Sequence, residues 1–306
     1  MTRIRRLAYT QGKYLLENYR QALLCAVLLA VFSYTAWLSS AVIALITLRR
    51  GVKEGGLLLV AAVLVHCLLA QMQFSFFPAL VSSLLNFVPC FFAACLLRLS
   101  ASWRAVAGIL FAQVLFVMML LQWGAHDFIL AQFAYFQSVV RDLQADGAFS
   151  HFLSSMNSGH SAVLANYLLG IQAAGVVFSA VLSLALARAV QSLICNPGGF
   201  TREMLEFRGQ KMELLLLVGI LFMVNLGSAL AINLLPVMLF YFLLAGLSLS
   251  FNLFAKEKPY RSIVLLILPM IFLPIIMFFV YVIFGSLDSL FNFRLYLHRA
   301  DERMRG

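Results

Sequence analysis

From Ser262 to Arg294 the chain reads SIVLLILPMIFLPIIMFFVYVIFGSLDSLFNFR. No charge appears between Ser262 and Leu287. An uncharged apolar run of about 18 residues or more is long enough to cross roughly 30 Å of hydrocarbon, so this stretch belongs in a bilayer. Pro269 and Pro274 interrupt it. One carboxylate, Asp288, then stands among aromatics, and Arg294 follows.

The rest of the chain has the same character. Of 306 residues, 63% are hydrophobic and 11% charged, with a mean hydropathy of +0.96. Soluble domains carry about 25% charged residues. The pattern predicts an all-α fold, a polytopic transmembrane helical bundle of eight or nine membrane segments, built as a single integral membrane domain over residues 1–306. The predicted apolar segments are Gln21–Trp37, Ala41–Leu48, Gly56–Gln71, Phe74–Leu97, Ala105–Trp123, Ser161–Arg188, Met212–Asn233, Leu234–Ala255 and the run from Ser262. Ala41–Leu48 is too short to span alone, so Gln21–Leu48 reads as a hairpin. Residues 1–20 read as a retained basic arm, 124–160 as an exterior, partly membrane-lying lid, and 285–306 as a C-terminal tail.

Charge sets the expected orientation. Lys and Arg total 22 against 12 Asp and Glu. In a chain this apolar, such an excess marks cytoplasmic loops rather than a nucleic-acid surface. The basic arm, Arg49–Lys53, Arg98–Arg104, Arg188–Lys211 and Lys256–Arg261 together hold 17 of the 22 cations. Up to residue 284 the opposite side holds only Arg141. The N-terminus is therefore expected in the cytoplasm of a bacterial inner membrane. The last run has two readings. Either it folds back at Pro269 and Pro274, or Ile263–Phe284 crosses once and leaves the tail arginines outside. Its length favours the single crossing, since Pro is tolerated in membrane helices. That crossing puts Asp288 at the outer interface. Asp288 and Arg294 are six residues apart and do not share a helix face, so each is expected to pair with another segment.

Much chemistry is excluded. There is no GxxxxGK[ST] loop, no HExxH and no paired-Asp arrangement, and no carboxylate is expected deep in a span, where ion coupling would need one. Neither a cofactor nor a metal site is expected, and no nucleophile–base pair is visible, so the chain reads as non-enzymatic. The five cysteines form no CxxC pair and read as small buried hydrophobes. The spans do hold neutral polar residues, among them His66, Asn86, Gln113, Asn225 and Asn233. Such groups bond helix to helix at about 0.6–2 kcal/mol each, or they line a pocket. Gln73, Gln122, Trp123, His126, Asn157, His160 and Asn166 cluster at the expected outer ends and are the candidate ligand-binding residues, beneath the 124–160 lid. Ala22, Ala26 and Ala30 form a small-residue ridge that lets a second helix approach closely, either within the chain or from a partner.

The tail Gly285-Ser-Leu-Asp288-Ser-Leu-Phe291-Asn292-Phe293-Arg294 resembles the C-terminal signature of the YybS-like family of bacterial membrane proteins. That signature is roughly Gly-x-x-Asp-x-x-Phe-(Asp/Asn)-Phe-Arg. Arg49-Arg50-Gly51-x-Lys53 and Phe240–Gly246 fit the same family pattern. The first half is similar in layout to the S components of energy-coupling-factor transporters. That similarity implies a small-solute or lipid ligand, and a coupling protein or separate ATPase docked on Ala22, Ala26 and Ala30. The competing expectation is a structural or assembly protein that recruits partners through its basic cytoplasmic surface and surrounds itself with membrane lipids.

Overall fold

Helices follow the apolar runs, but several are shorter than the runs themselves. The computed structural model describes residues 3–72, 75–124, 126–142, 161–253, 259–291 and 293. Thirteen α-helices occur among them: α1 Arg3–Glu17, α2 Tyr19–Val31, α3 Ala36–Arg49, α4 Val52–Ala70, α5 Phe76–Ser100, α6 Trp103–Gly124, α7 His126–Asp142, α8 Ser161–Cys195, α9 Gly199–Glu206, α10 Lys211–Asn225, α11 Ala229–Leu253, α12 Pro259–Phe272 and α13 Pro274–Phe291.

Six of them (α4, α5, α6, α8, α11 and α13) are long and apolar enough to cross a membrane, which fits a multi-pass membrane protein. The expected eight or nine segments are not all of spanning length. Helices α2, α3, α10 and α12 have 13 to 15 residues. At 1.5 Å per residue that is about 20 Å, short of the hydrocarbon thickness.

The chain divides into two compact units, Met1–Leu110 with Val176–Phe207, and Phe111–Gly175 with Arg208–Gly306. In the first unit, α3 is the central helix. Every residue from Ser39 to Leu48 is buried, as expected for a helix that is apolar all round. The predicted hairpin is present, because the Arg50 guanidinium donates to the carbonyls of Leu16 (2.6 Å) and Glu17 (2.9 Å) and so returns α3 to where α2 began. Arg98 Nη1 donates to Thr47 O at 2.8 Å, so the end of α5 lies there too. Gly51 sits between them at φ +128°, beside the Arg98 guanidinium. The basic turn at 49–53 is therefore a latch on helix ends.

The hairpin breaks early, at Phe32, and its loose carbonyls are capped from nearby. Thr35 Oγ1 donates to Leu29 O at 2.7 Å, and His66 Nδ1 lies 2.9 Å from Ala30 O. A carbonyl only accepts, so Nδ1 carries the proton.

In the second unit, α10 and α11 form a hairpin through Leu226–Ser228. Helices α11 and α13 interlock through glycine. A Cβ on Gly246 would stand 1.9 Å from the Tyr281 carbonyl oxygen, and one on Gly285 would stand 2.2 Å from that of Phe242. Neither site has room for a methyl group. Residue numbers fall along one helix as they rise along the other, so the two run antiparallel.

The last run is not a straight crossing. It breaks at Leu273, between α12 and α13, and Tyr281 Oη donates to Leu266 O at 3.0 Å. In one continuous helix those residues would be about 22 Å apart. The preferred single crossing of Ile263–Phe284 is thus corrected in favour of the fold-back. Pro274 lacks an N–H and its ring crowds the preceding turn, which explains a break at this point.

Leucine at Gly285 is expected to disrupt the α11–α13 contact. The Gly285→Leu variant should lose about 3 kcal/mol of stability, seen as a collapse of monodisperse yield in detergent, while Gly219→Leu, on an open face, should behave as wild type.

Candidate functional site

Polar side chains in apolar helices must find partners, so their hydrogen bonds separate structural groups from candidate site groups. In the first unit most are engaged. His66 caps α2, Asn86 Nδ2 approaches His66 Nε2 at 3.5 Å, and Ser40 Oγ donates to Asn86 O at 3.0 Å. Ser39 Oγ donates to Ala26 O at 2.7 Å. Ala22, Ala26 and Ala30 are fully buried against Ala36, Val42, Ile43, Ile46 and Leu58. The ridge therefore packs α2 onto its own neighbours. The expectation that it docks a partner is corrected to internal packing, because no part of it reaches the surface.

The second unit gathers a different set. Gln122, at the end of α6, donates its Nε2 proton to Asn166 Oδ1 on α8, and Asn166 Nδ2 donates to Ala162 O at 2.7 Å. These are two of the seven predicted ligand residues, brought together from 44 positions apart. Gly170 lies one helical turn beyond Asn166 on the same face. A Cβ there would stand 2.6 Å from Asn233 O and 3.0 Å from Pro236 Cγ, so α8 rests directly on α11. Asn233 itself is fully buried, and its Oδ1 and Nδ2 have no hydrogen-bond partner among the described residues. Leaving such an amide unmet costs about 1–3 kcal/mol. Pro236, one turn on, also denies the Ile232 carbonyl its usual i+4 donor.

Gln122 and Asn166 thus bond across α6 and α8, and the backbone carbonyl of Asn233 on α11 meets α8 at Gly170, one turn beyond Asn166. Between Ala105 and Gly124, Ser161 and Ala187, and Ala229 and Leu253 there is no charged residue. The chemistry on offer is neutral donation and acceptance in an apolar setting, which suits an uncharged molecule with an adjacent donor and acceptor.

The other predicted residues stand elsewhere. Trp123 is 98% exposed and not part of the cluster. His126 opens α7, the helical first half of the predicted lid. Gln73, Asn157 and His160 lie outside the described residues. Asn233 and Gln113, both with unpartnered buried amide atoms among the described residues, were visible in the sequence as polar residues deep in apolar runs.

The tail motif is structural. Asp288 is fully buried, with Oδ1 accepting the Phe293 N–H at 3.1 Å and Oδ2 lying 3.8 Å from Arg208 Nε. The same Arg208 donates to the carbonyls of Asp288 (3.0 Å) and Ser289 (3.4 Å). Asp288 does pair with another segment, but its placement at the interface opposite Arg188–Lys211 is corrected: it shares one depth with Arg208. The fold-back of the last run allows this. Phe291 and Phe293 stack with ring centres 6.0 Å apart. Asn292 and Arg294 lie outside the described residues.

A second ionic contact fixes α9 in the first unit. Glu203 accepts from Trp103 Nε1 at 2.9 Å and from the Arg188 guanidinium. Burial pushes its carboxyl up, but the Arg188 and Trp103 hydrogen bonds and the Arg188 charge outweigh that and hold it below its ordinary value.

Comparison with protein-family models, with curated proteins and with solved structures finds no match for this chain.

Asp288→Ala leaves the Arg208 charge without its partner and should cost roughly 3 kcal/mol. Asp288→Asn keeps an acceptor for the Phe293 N–H and should cost less. Thermal unfolding in detergent separates the two, and equal stability of Asp288→Ala and wild type would rule out Asp288 as a clamp on the second unit.

Proposed function

We propose that the chain is a non-enzymatic module of a bacterial inner membrane that binds a small uncharged solute or lipid and works with a partner protein. It would resemble in this the S components of energy-coupling-factor transporters, within a YybS-like scaffold. The observation that carries the reading is Asn233, whose buried carboxamide has no partner among the described residues, on the helix that meets α8 one turn beyond Asn166. Such a group contributes no stability by itself, and the donor and acceptor of a bound uncharged molecule would meet it. The partner, whether coupling protein or ATPase, would have to use a surface other than the buried alanine ridge.

A structural or assembly role is the second reading. It is favoured by the polar groups of the first unit, which bond within the chain. On that reading Asn233→Leu simply raises thermal stability, because it removes an unsatisfied amide.

Native mass spectrometry from mild detergent decides between them. A small-molecule adduct is expected on the wild-type protein and is expected to be lost in Asn233→Leu. Adduct-free wild-type protein that co-purifies with no ATPase would sink the binding reading.

Orientation has its own test. With the basic segments cytoplasmic, cysteines placed at the exposed positions Ser100 and Ser138 should react with an impermeant reagent from opposite sides. Labelling from one side would overturn the topology.

A further inference from the structure

One end of the first unit collects cations, and this observation is independent of solute binding. Arg50 reaches the end of α1, Arg98 reaches the end of α3, and Trp103 and Arg188 meet on Glu203. Gly12 of α1 packs on Val190 and Ile194 of α8, where a Cβ would stand 2.4 Å from Val190 Cγ1. These contacts bring α1, the 49–53 turn, the 98–104 loop and the α8–α9 corner to the same end. Lys13, Arg20, Arg49, Lys53, Arg98 and Arg202 are exposed there. Three of the acids are already engaged: Glu17 by Lys13 at 3.7 Å, Glu54 by Arg50 at 3.4 Å, and Glu203 by Arg188. The end is therefore strongly cationic.

What borders the cations identifies the partner. Arg20 is one helical turn from Leu24, which is 60% exposed, and Lys53 one turn from Leu57, which is 63% exposed. Arg98 adjoins Leu99, which is 80% exposed. Tyr9 and Tyr14 are exposed on α1, whose Arg6, Thr10, Lys13 and Glu17 fall on one face. A soluble acidic partner would satisfy the charges and leave these leucines uncovered. An anionic amphiphile meets both. Long cationic side chains bridge apolar surface and headgroup in this way, and aromatics mark the same level.

We propose that this end of the first unit holds anionic phospholipids, with headgroup phosphates on Arg20 and Lys53 and acyl chains along Leu24, Leu57 and Leu99. The capping arginines Arg50 and Arg98 hold the helix ends that space these cations.

The test uses the full-length protein in nanodiscs of phosphatidylcholine alone or with about 30% phosphatidylglycerol. Native mass spectrometry should show phosphatidylglycerol enriched on the wild-type protein over its share of the bilayer. The enrichment should fall roughly fivefold for each cation removed in Arg20→Gln and Lys53→Gln. Phosphatidylglycerol should also raise the melting temperature of the wild type and do so less for the double variant, which leaves Arg50 and Arg98 in place. Equal enrichment in wild type and double variant overturns the proposal. So does a melting shift reproduced by inorganic phosphate in phosphatidylcholine discs, since that would need no acyl chain.

Discussion

In hydrocarbon, every backbone carbonyl that loses its helical partner must find another within the protein. That constraint explains the first unit. Its central hairpin is made of helices of 13 and 14 residues, and the carbonyls released at helix ends are met by side chains. Thr35 and His66 cover the carbonyls released at Phe32, and Arg50 and Arg98 cover those at the ends of α1 and α3. His66, Arg50 and Arg98 each reach a helix other than their own, which ties the helices together as it satisfies them. The buried position of α3 follows, because it is apolar on all sides and has no face to offer to anything but its neighbours.

The second unit meets the same constraint through close backbone contact. Gly246 and Gly285 let α11 and α13 approach until the carbonyl of one lies where the other's side chain would be. Without a hydrophobic force between helices inside a bilayer, such packing supplies much of the association energy. The contact has a geometric consequence at the end of α13. Asp288 lies three residues beyond Gly285, within one helical turn, so the interlock also fixes where its carboxylate can stand. Gly209 packs against both Phe242 of α11 and Ser289 of α13, which brings the adjacent Arg208 to that carboxylate. The stretch Phe240–Gly246 and the turn that begins at Gly285 thus touch in the fold through their glycines.

Much of this was legible from residue spacing, and the misreadings have physical causes. The small ridge Ala22, Ala26 and Ala30 announced a close helix contact, and one exists. Periodicity describes only the face of a helix, never what covers it, so partner and neighbour were indistinguishable. The basic arm, the 49–53 turn, the 98–104 loop and the Arg188 region do gather at one end of the first unit, as their shared excess of cations had suggested. The last run misled because hydropathy measures length along the chain. Leu266 and Tyr281 are far apart in sequence and hydrogen-bonded in space, and only the two prolines hinted at it. The expected place of Asp288 moved with that fold-back.

The polar residues divide by whether their bonds are complete. His66, Asn86 and Ser39 have partners, and their roles follow from where helices end. Asn233 differs from them. It is fully buried, yet both ends of its amide are unmatched among the described residues, and α8 and α11 are pressed together beside its backbone at Gly170. An apolar residue of similar size would serve packing better at that position. An unmatched amide adds no stability there, and it is on this residue that the proposed binding of an uncharged molecule rests.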